Sequence, residues 1–123
     1  MTAAFIVSIV DDDPSVCESL LLLLRQHGYA ARVFSSAEAF RQSDALPKTR
    51  CLLLDIAMPG MSGMDLQQEL LHRGLRIPII VITGQADDAT RSTVLARGAV
   101  DFLIKPFDET ALLAALARAL GAP

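Results

Sequence analysis

Apolar residues in this chain arrive in two rhythms, and the rhythms alternate. Residues 5–10, 30–34, 51–54, 78–84 and 99–105 are short runs rich in β-branched or leucine side chains. Continuous runs of this length, bounded by turn residues, read as strands buried on both faces. Between them the apolar positions recur at helical spacing. Val16, Leu20, Leu23 and Leu24 form one stripe, opened by Asp13-Pro14 as cap and first helical residue and stopped by Gly28. Ser35 or Ser36 caps a short helix carrying Ala37, Ala39 and Phe40, and residues 43–50, with Pro47, read as loop. Ser62 caps a helix with Met64, Leu66, Leu70 and Leu71 that Gly74 ends. Residues 87–97 form a helix anchored only by Ala89, Val94, Leu95 and Ala96, and residues 108–120 a last one with Leu112, Leu113, Leu116 and Leu120.

Five strands alternating with five helices predict an α/β fold, a (βα)5 flavodoxin-like three-layer sandwich with parallel sheet order 2-1-3-4-5. The weaker run 30–34 suits an edge. Right-handed crossovers put all strand C-termini at one edge. That edge collects Asp11 and Asp12 from the first strand, Asp55 from the third, Thr83 from the fourth and Lys105 from the fifth. Strands one and three flank the switch point where such sheets bind ligands. Carboxylates about 4 Å apart repel by roughly 4 kcal/mol at an effective dielectric near 20. Lys105 offsets part of this, and a hard divalent ion with oxygen ligands, Mg²⁺, offsets it more completely. The chemistry expected of this set is Mg²⁺-assisted phosphoryl transfer onto Asp55, with Lys105 and Thr83 facing the transferred oxygens.

These residues lie in Val10-Asp11-Asp12, Leu54-Asp55-Ile56-Ala57-Met58-Pro59-Gly60-Met61-Ser62-Gly63, Ile82-Thr83-Gly84 and Lys105-Pro106-Phe107. In that order they resemble a response-regulator (CheY-like) receiver domain over nearly the whole chain. Ser36-Ala37-Glu38-Ala39-Phe40, Val81-Ile82-Thr83-Gly84 and Gly98-Ala99-Val100-Asp101-Phe102 resemble the FixJ type. The resemblance implies Asp55 as phosphoacceptor, Asp12 as main carboxylate ligand of Mg²⁺, Asp11 acting through water, and the Ala57 backbone carbonyl as a further ligand. It implies that Thr83 moves toward the phosphoryl group and that Phe102 turns into the space vacated. It also implies a cis Lys105-Pro106 bond. The expected partners are a sensor histidine kinase and, on phosphorylation, a second copy through the face formed by helix 87–97, strand 99–105 and helix 108–120. In FixJ-like regulators a LuxR-type DNA-binding domain follows, so residues 1–123 are expected to be a receiver whose effector lies elsewhere, or else a stand-alone receiver.

Composition adds limits. With 52% hydrophobic and 20% charged residues, the 123-residue chain is supplied for one well-buried domain. A net charge of −3 gives no reason to expect direct nucleic-acid contact. No run approaches the roughly 18 apolar residues of a membrane span. Cys17 and Cys51 have no metal-ligand spacing and read as small buried hydrophobes in a reduced, cytoplasmic protein. Asp13 reads as a helix cap, His27 and His72 as residues near helix C-termini, and Met58, Met61 and Met64 as loop and core packing. The leucines 20–24 are mostly core. An aspartyl-phosphate phosphohydrolase stays open as a second class, but Ala57 stands where that chemistry places a second carboxylate. A degenerate interaction module is a third reading, disfavoured by the complete acid set. Ala57 cannot shield the acceptor, and Gln85 could orient an attacking water.

Overall fold

The computed structural model describes residues 5–84 and 87–121. Its strands are β1 (Ile6–Val10), β2 (Ala31–Phe34), β3 (Thr49–Leu54), β4 (Ile79–Thr83) and β5 (Asp101–Ile104). They are parallel in the order β2-β1-β3-β4-β5, the expected topology, with β2 and β5 at the edges. The helices are α1 (Pro14–Gln26), α2 (Ala37–Arg41), α3 (Gly63–His72), α4 (Asp88–Ala96) and α5 (Glu109–Ala119).

Side-chain alternation along the strands builds two apolar layers. Leu52 and Leu54 point into a layer with Phe34, Phe40, Leu66, Leu70, Val81, Val94 and Phe102. Cys51 and Leu53 point into the opposite one with Ile9, Leu20, Leu24, Ile82, Leu112 and Leu116. This is why residues 51–54 show no polar break: both faces of β3 are covered, and all four are at most 1% exposed.

The caps expected at Asp13, Ser36 and Ser62 form, and Asp87 and Asp108 cap two further helices. Side chains of Asp13, Ser36, Asp87 and Asp108 accept backbone N–H groups of their helices, and Ser62 closes a reciprocal capping box with Asp65. Four expectations need correction. Residues 43–50 are not wholly loop: Leu46–Lys48 makes a 3₁₀ turn and β3 already starts at Thr49. The buried Thr49 hydroxyl donates to the Ala45 carbonyl at 2.8 Å and pairs with Ser8 across β1 at 2.7 Å. A polar residue can therefore begin the strand without losing its hydrogen bonds. Leu71 is 45% exposed, while Gln67 takes an inward position on α3. On α4, Ala89, Leu95 and Ala96 face outward and Val94 alone is buried. The fifth strand is shorter than 99–105 at both ends. Among the leucines 20–24, Leu22 is exposed and Leu21 half-buried. Cys17 and Cys51 are buried free thiols, and no described helix is long and apolar enough to cross a membrane.

Candidate functional site

Backbone hydrogen bonds at the C-terminal edge hold each functional residue to its neighbouring strand. The amide of Asp11 donates to the Phe34 carbonyl, that of Asp55 to the Val10 carbonyl at 3.0 Å, and that of Lys105 to the Thr83 carbonyl at 2.8 Å. Side chains emerging there are therefore placed by the sheet rather than by loops, which gives a rigid floor.

Asp11, Asp12 and Asp55 each present a carboxylate oxygen within 4.8 Å of the others. Asp11 and Asp55 are buried and Asp12 is exposed, so the cluster opens to solvent on one side. A hollow of about 320 Å³ between α1 and β2 reaches Asp11 and Asp12. The Lys105 ammonium donates to Asp11 Oδ2 at 2.8 Å and lies 3.6 Å from Asp55 Oδ2. The other oxygen of Asp11 accepts the Asp13 amide at 2.9 Å, and Asp55 Oδ1 accepts the Ala57 amide at 3.3 Å. Thr83 is fully buried at the end of β4.

Electrostatics follow from this crowding. Burial, then the Asp11 charge, raises the Asp55 carboxyl above its ordinary value despite the opposing pull of Lys105. Burial acts to lower the Lys105 ammonium, but the hydrogen bond it donates to Asp11 and the charges of Asp55 and Asp11 prevail and raise it. Burial and the charges of Asp11 and Asp13 raise the Cys17 thiol, whose Sγ donates to the Asp11 carbonyl at 3.2 Å. One ammonium facing three carboxylates leaves the cluster short of positive charge, and its donors are all oxygen. Such a set fits a hard divalent cation.

Asp11, Asp12, Asp55, Thr83 and Lys105 therefore emerge at one sheet edge, with Ala57 on the loop just beyond β3, whereas Phe102 lies further back along β5. The Lys105-Pro106 peptide is cis, as the resemblance implies. Phe102 is buried at 4% exposure in the α3/α4 layer, with the Arg91 guanidinium 5.9 Å above its ring. Asp13 caps α1 at its start, and the ring of His27, the residue just past its last turn, bonds the Leu23 carbonyl. Gln85, considered above as a residue that could orient a water, lies outside the described residues.

Two supporting positions escaped the reading of the sequence. Gly63 packs so tightly that a Cβ there would stand 2.3 Å from the Asp55 carbonyl oxygen. Its amide donates to the Ile56 carbonyl, closing the loop on itself just beyond the end of β3. Glu38 Oε2 accepts the Met61 amide at 3.0 Å from the neighbouring helix α2. The last glycine of a Pro-Gly-Met-Ser-Gly turn could have suggested the first. Nothing local to α2 pointed to the second.

Comparison with known proteins places these features in a family. The profile described as response regulator receiver domain matches residues 7–117. The response regulator protein TmoT of Ectopseudomonas mendocina is 44% identical over 115 residues, 94% of this chain and 52% of that protein. The transcriptional regulatory protein FixJ of Azorhizobium caulinodans is 41% identical over 94% of this chain and 54% of its own length. The chain thus spans about half the length of the curated relatives it matches. The crystal structure of FixJ-N superposes with a TM-score of 0.83 at 36% identity, covering all of this chain and 98% of that one. With the sheet order, the acidic edge and the profile all in agreement, this chain belongs to the receiver-domain family of two-component response regulators.

Proposed function

We propose that this receiver is switched by phosphorylation of Asp55, with a sensor histidine kinase as phosphoryl donor. The observation that carries the reading is the Lys105 ammonium set between the carboxylates of Asp11 and Asp55 at the open sheet edge. In the transfer, an Asp55 oxygen forms a bond to phosphorus while the bond from phosphorus to the kinase histidine nitrogen breaks. The electron pair leaves with the imidazole. Lys105 neutralises oxygens of the incoming group, and the Thr83 hydroxyl donates to one of them.

Asp12, Asp55 and the Ala57 carbonyl would hold Mg²⁺. Asp11 would act through water, because both its carboxylate oxygens already accept hydrogen bonds from Lys105 and Asp13. When bound, the ion supplies charge neutralisation at the transferring oxygens. The output is a shift of Thr83 and Phe102 that moves α4 and changes the α4-β5-α5 face. Exposed Leu95 and Ile104 on that face suit self-association. A change from 1:99 to 99:1 between the two states needs about 5.5 kcal/mol of differential stabilisation. The FixJ-like relatives support a role in transcription through a DNA-binding domain outside the receiver, in the cytoplasm. The role is signalling, not turnover: Ala57 supplies no second carboxylate for phosphohydrolase chemistry.

Native mass spectrometry with Mg²⁺ and acetyl phosphate, beside Asp55→Asn, tests this. A single phosphoryl adduct that disappears in the variant is expected, with a dimer accompanying it. No adduct would remove Asp55 as phosphoacceptor, and an adduct without a dimer would remove self-association as the output of this segment.

A further inference from the structure

We infer that Glu38, on α2, is a positioning residue for the cation site, holding the loop that follows β3 so that the Ala57 carbonyl stays in register with Asp55. The inference rests on the receiver reading above and concerns a residue outside the strand edge. The loop between Asp55 and Gly63 is fastened at both ends: the Asp55 amide bonds the Val10 carbonyl of β1, and the Gly63 amide closes the loop on itself through the Ile56 carbonyl. Its outer turn reaches away from the strands, and there the Glu38 carboxylate takes the Met61 amide at 3.0 Å.

The turn is shaped for that carboxylate. Gly60 has φ +75°, and a Cβ at this position would stand 2.7 Å from Glu38 Oε2. A side chain there would be strained in its backbone and would displace the carboxylate, whereas glycine lets the chain pass directly beneath it. The Met61 amide also holds the Glu38 carboxyl below its ordinary value, so the accepting, ionised form is the one favoured. Helix α2 is itself braced. Arg41, one turn on, pairs with Glu69 of α3 at 2.9 Å, and α3 begins where the loop ends. Glu38 and Arg41 thus grip the loop and the helix that follows it. A loop freed at Met61 keeps its fastened ends but loses the restraint on its outer turn. Partners hydrogen-bonded directly to a metal ligand typically cost about ten- to a hundredfold in affinity when removed, and Glu38, one step further out, is placed at the low end of that range.

The test is Mg²⁺ binding by isothermal titration calorimetry on wild type, Glu38→Ala, Glu38→Gln and Glu38→Asp, with folding checked by circular dichroism. Glu38→Ala is expected to weaken Mg²⁺ about tenfold. Glu38→Gln keeps an acceptor oxygen at the same reach and is expected to restore binding to within about threefold of wild type. Glu38→Asp keeps the charge but is one methylene short, and is expected to bind about as weakly as Glu38→Ala. If Glu38→Ala does not fold, the Gln and Asp pair decides alone. Equal binding by all variants, or strong binding by Asp with weak binding by Gln, overturns the inference, the second outcome making Glu38 a long-range charge. Wild type that binds no Mg²⁺ would instead remove the cation site itself, a failure of the parent reading that is read from wild type before any variant is compared.

Discussion

Asp55 is the residue at which the site's cost and its use coincide. Two carboxylates whose oxygens lie 4.8 Å apart, the outer limit for this cluster, repel by roughly 3 kcal/mol at an effective dielectric near 20, and Lys105 is shared between Asp11 and Asp55. The Asp55 carboxyl is raised by burial and by Asp11, so the folded state binds its proton more tightly than the unfolded chain does. The destabilisation is absent below the unfolded value near 3.9 and grows to its full size as pH rises through the folded value. Asp55→Asn is therefore expected to stabilise the metal-free protein at pH 7 by on the order of 1 kcal/mol, well under the pair repulsion because Lys105 offsets most of it. The gain should fade as the pH falls toward the unfolded value near 3.9. Urea titrations across that range measure it, and a variant less stable than wild type at pH 7 would show that Lys105 more than balances the cluster.

At the scale of elements, α4 is the helix with the fewest buried anchors. Its buried side chain is Val94. Two further tethers sit near its C-terminal end: the Gln67 amide donates to the Val94 carbonyl at 3.0 Å, and Arg97 reaches the Met64 carbonyl at 3.4 Å. The Gln67 Oε1 atom is buried with no partner among the described residues, so even this tether is incompletely satisfied. The N-terminal part of α4 is held by its Asp87 cap. Val94→Ala should cost about 2 kcal/mol, the low end for truncating a buried aliphatic side chain to alanine. It should also raise hydrogen exchange across α4 far more than across β3. Equal changes in both elements would mean that α4 opens only with the whole domain. The sparse apolar anchors of residues 87–97 were legible in the sequence. Their true number was not, because Ala89, Leu95 and Ala96 have the right chemistry and the wrong direction, and helix rotation is decided by what the neighbours offer.

For the molecule as a whole, Cys51 reports global stability. It is fully buried in the centre of β3, and burial pushes its thiol up to about 12. Labelling at pH 8 should require global opening. Mg²⁺ at a hundred times its dissociation constant should then slow labelling of Cys51 about a hundredfold, equivalent to about 2.7 kcal/mol of linked stability. Peptide mapping separates this thiol from Cys17. Labelling of Cys51 that ignores Mg²⁺ would show either local exposure of β3 or no coupling between the site and the fold.

What the sequence by itself determined is everything encoded by local pattern and by topology rules. Unbroken apolar runs specify strands covered on both faces, Asp and Ser caps with following helical stripes specify the helices, and right-handed crossovers send Asp11, Asp12, Asp55, Thr83 and Lys105 to one edge. Only the tertiary structure decided what depends on distance across the chain. Residue 38 meets residue 61, residue 63 has no room for a side chain against residue 55, and Gln67 rather than Leu71 turns inward on α3. Thr49, polar and next to a proline turn, becomes strand because Ser8 and the Ala45 carbonyl satisfy its hydroxyl. Periodicity is a property of neighbours along the chain, whereas these contacts are set by how separate elements close on one another, and no local pattern carries that information.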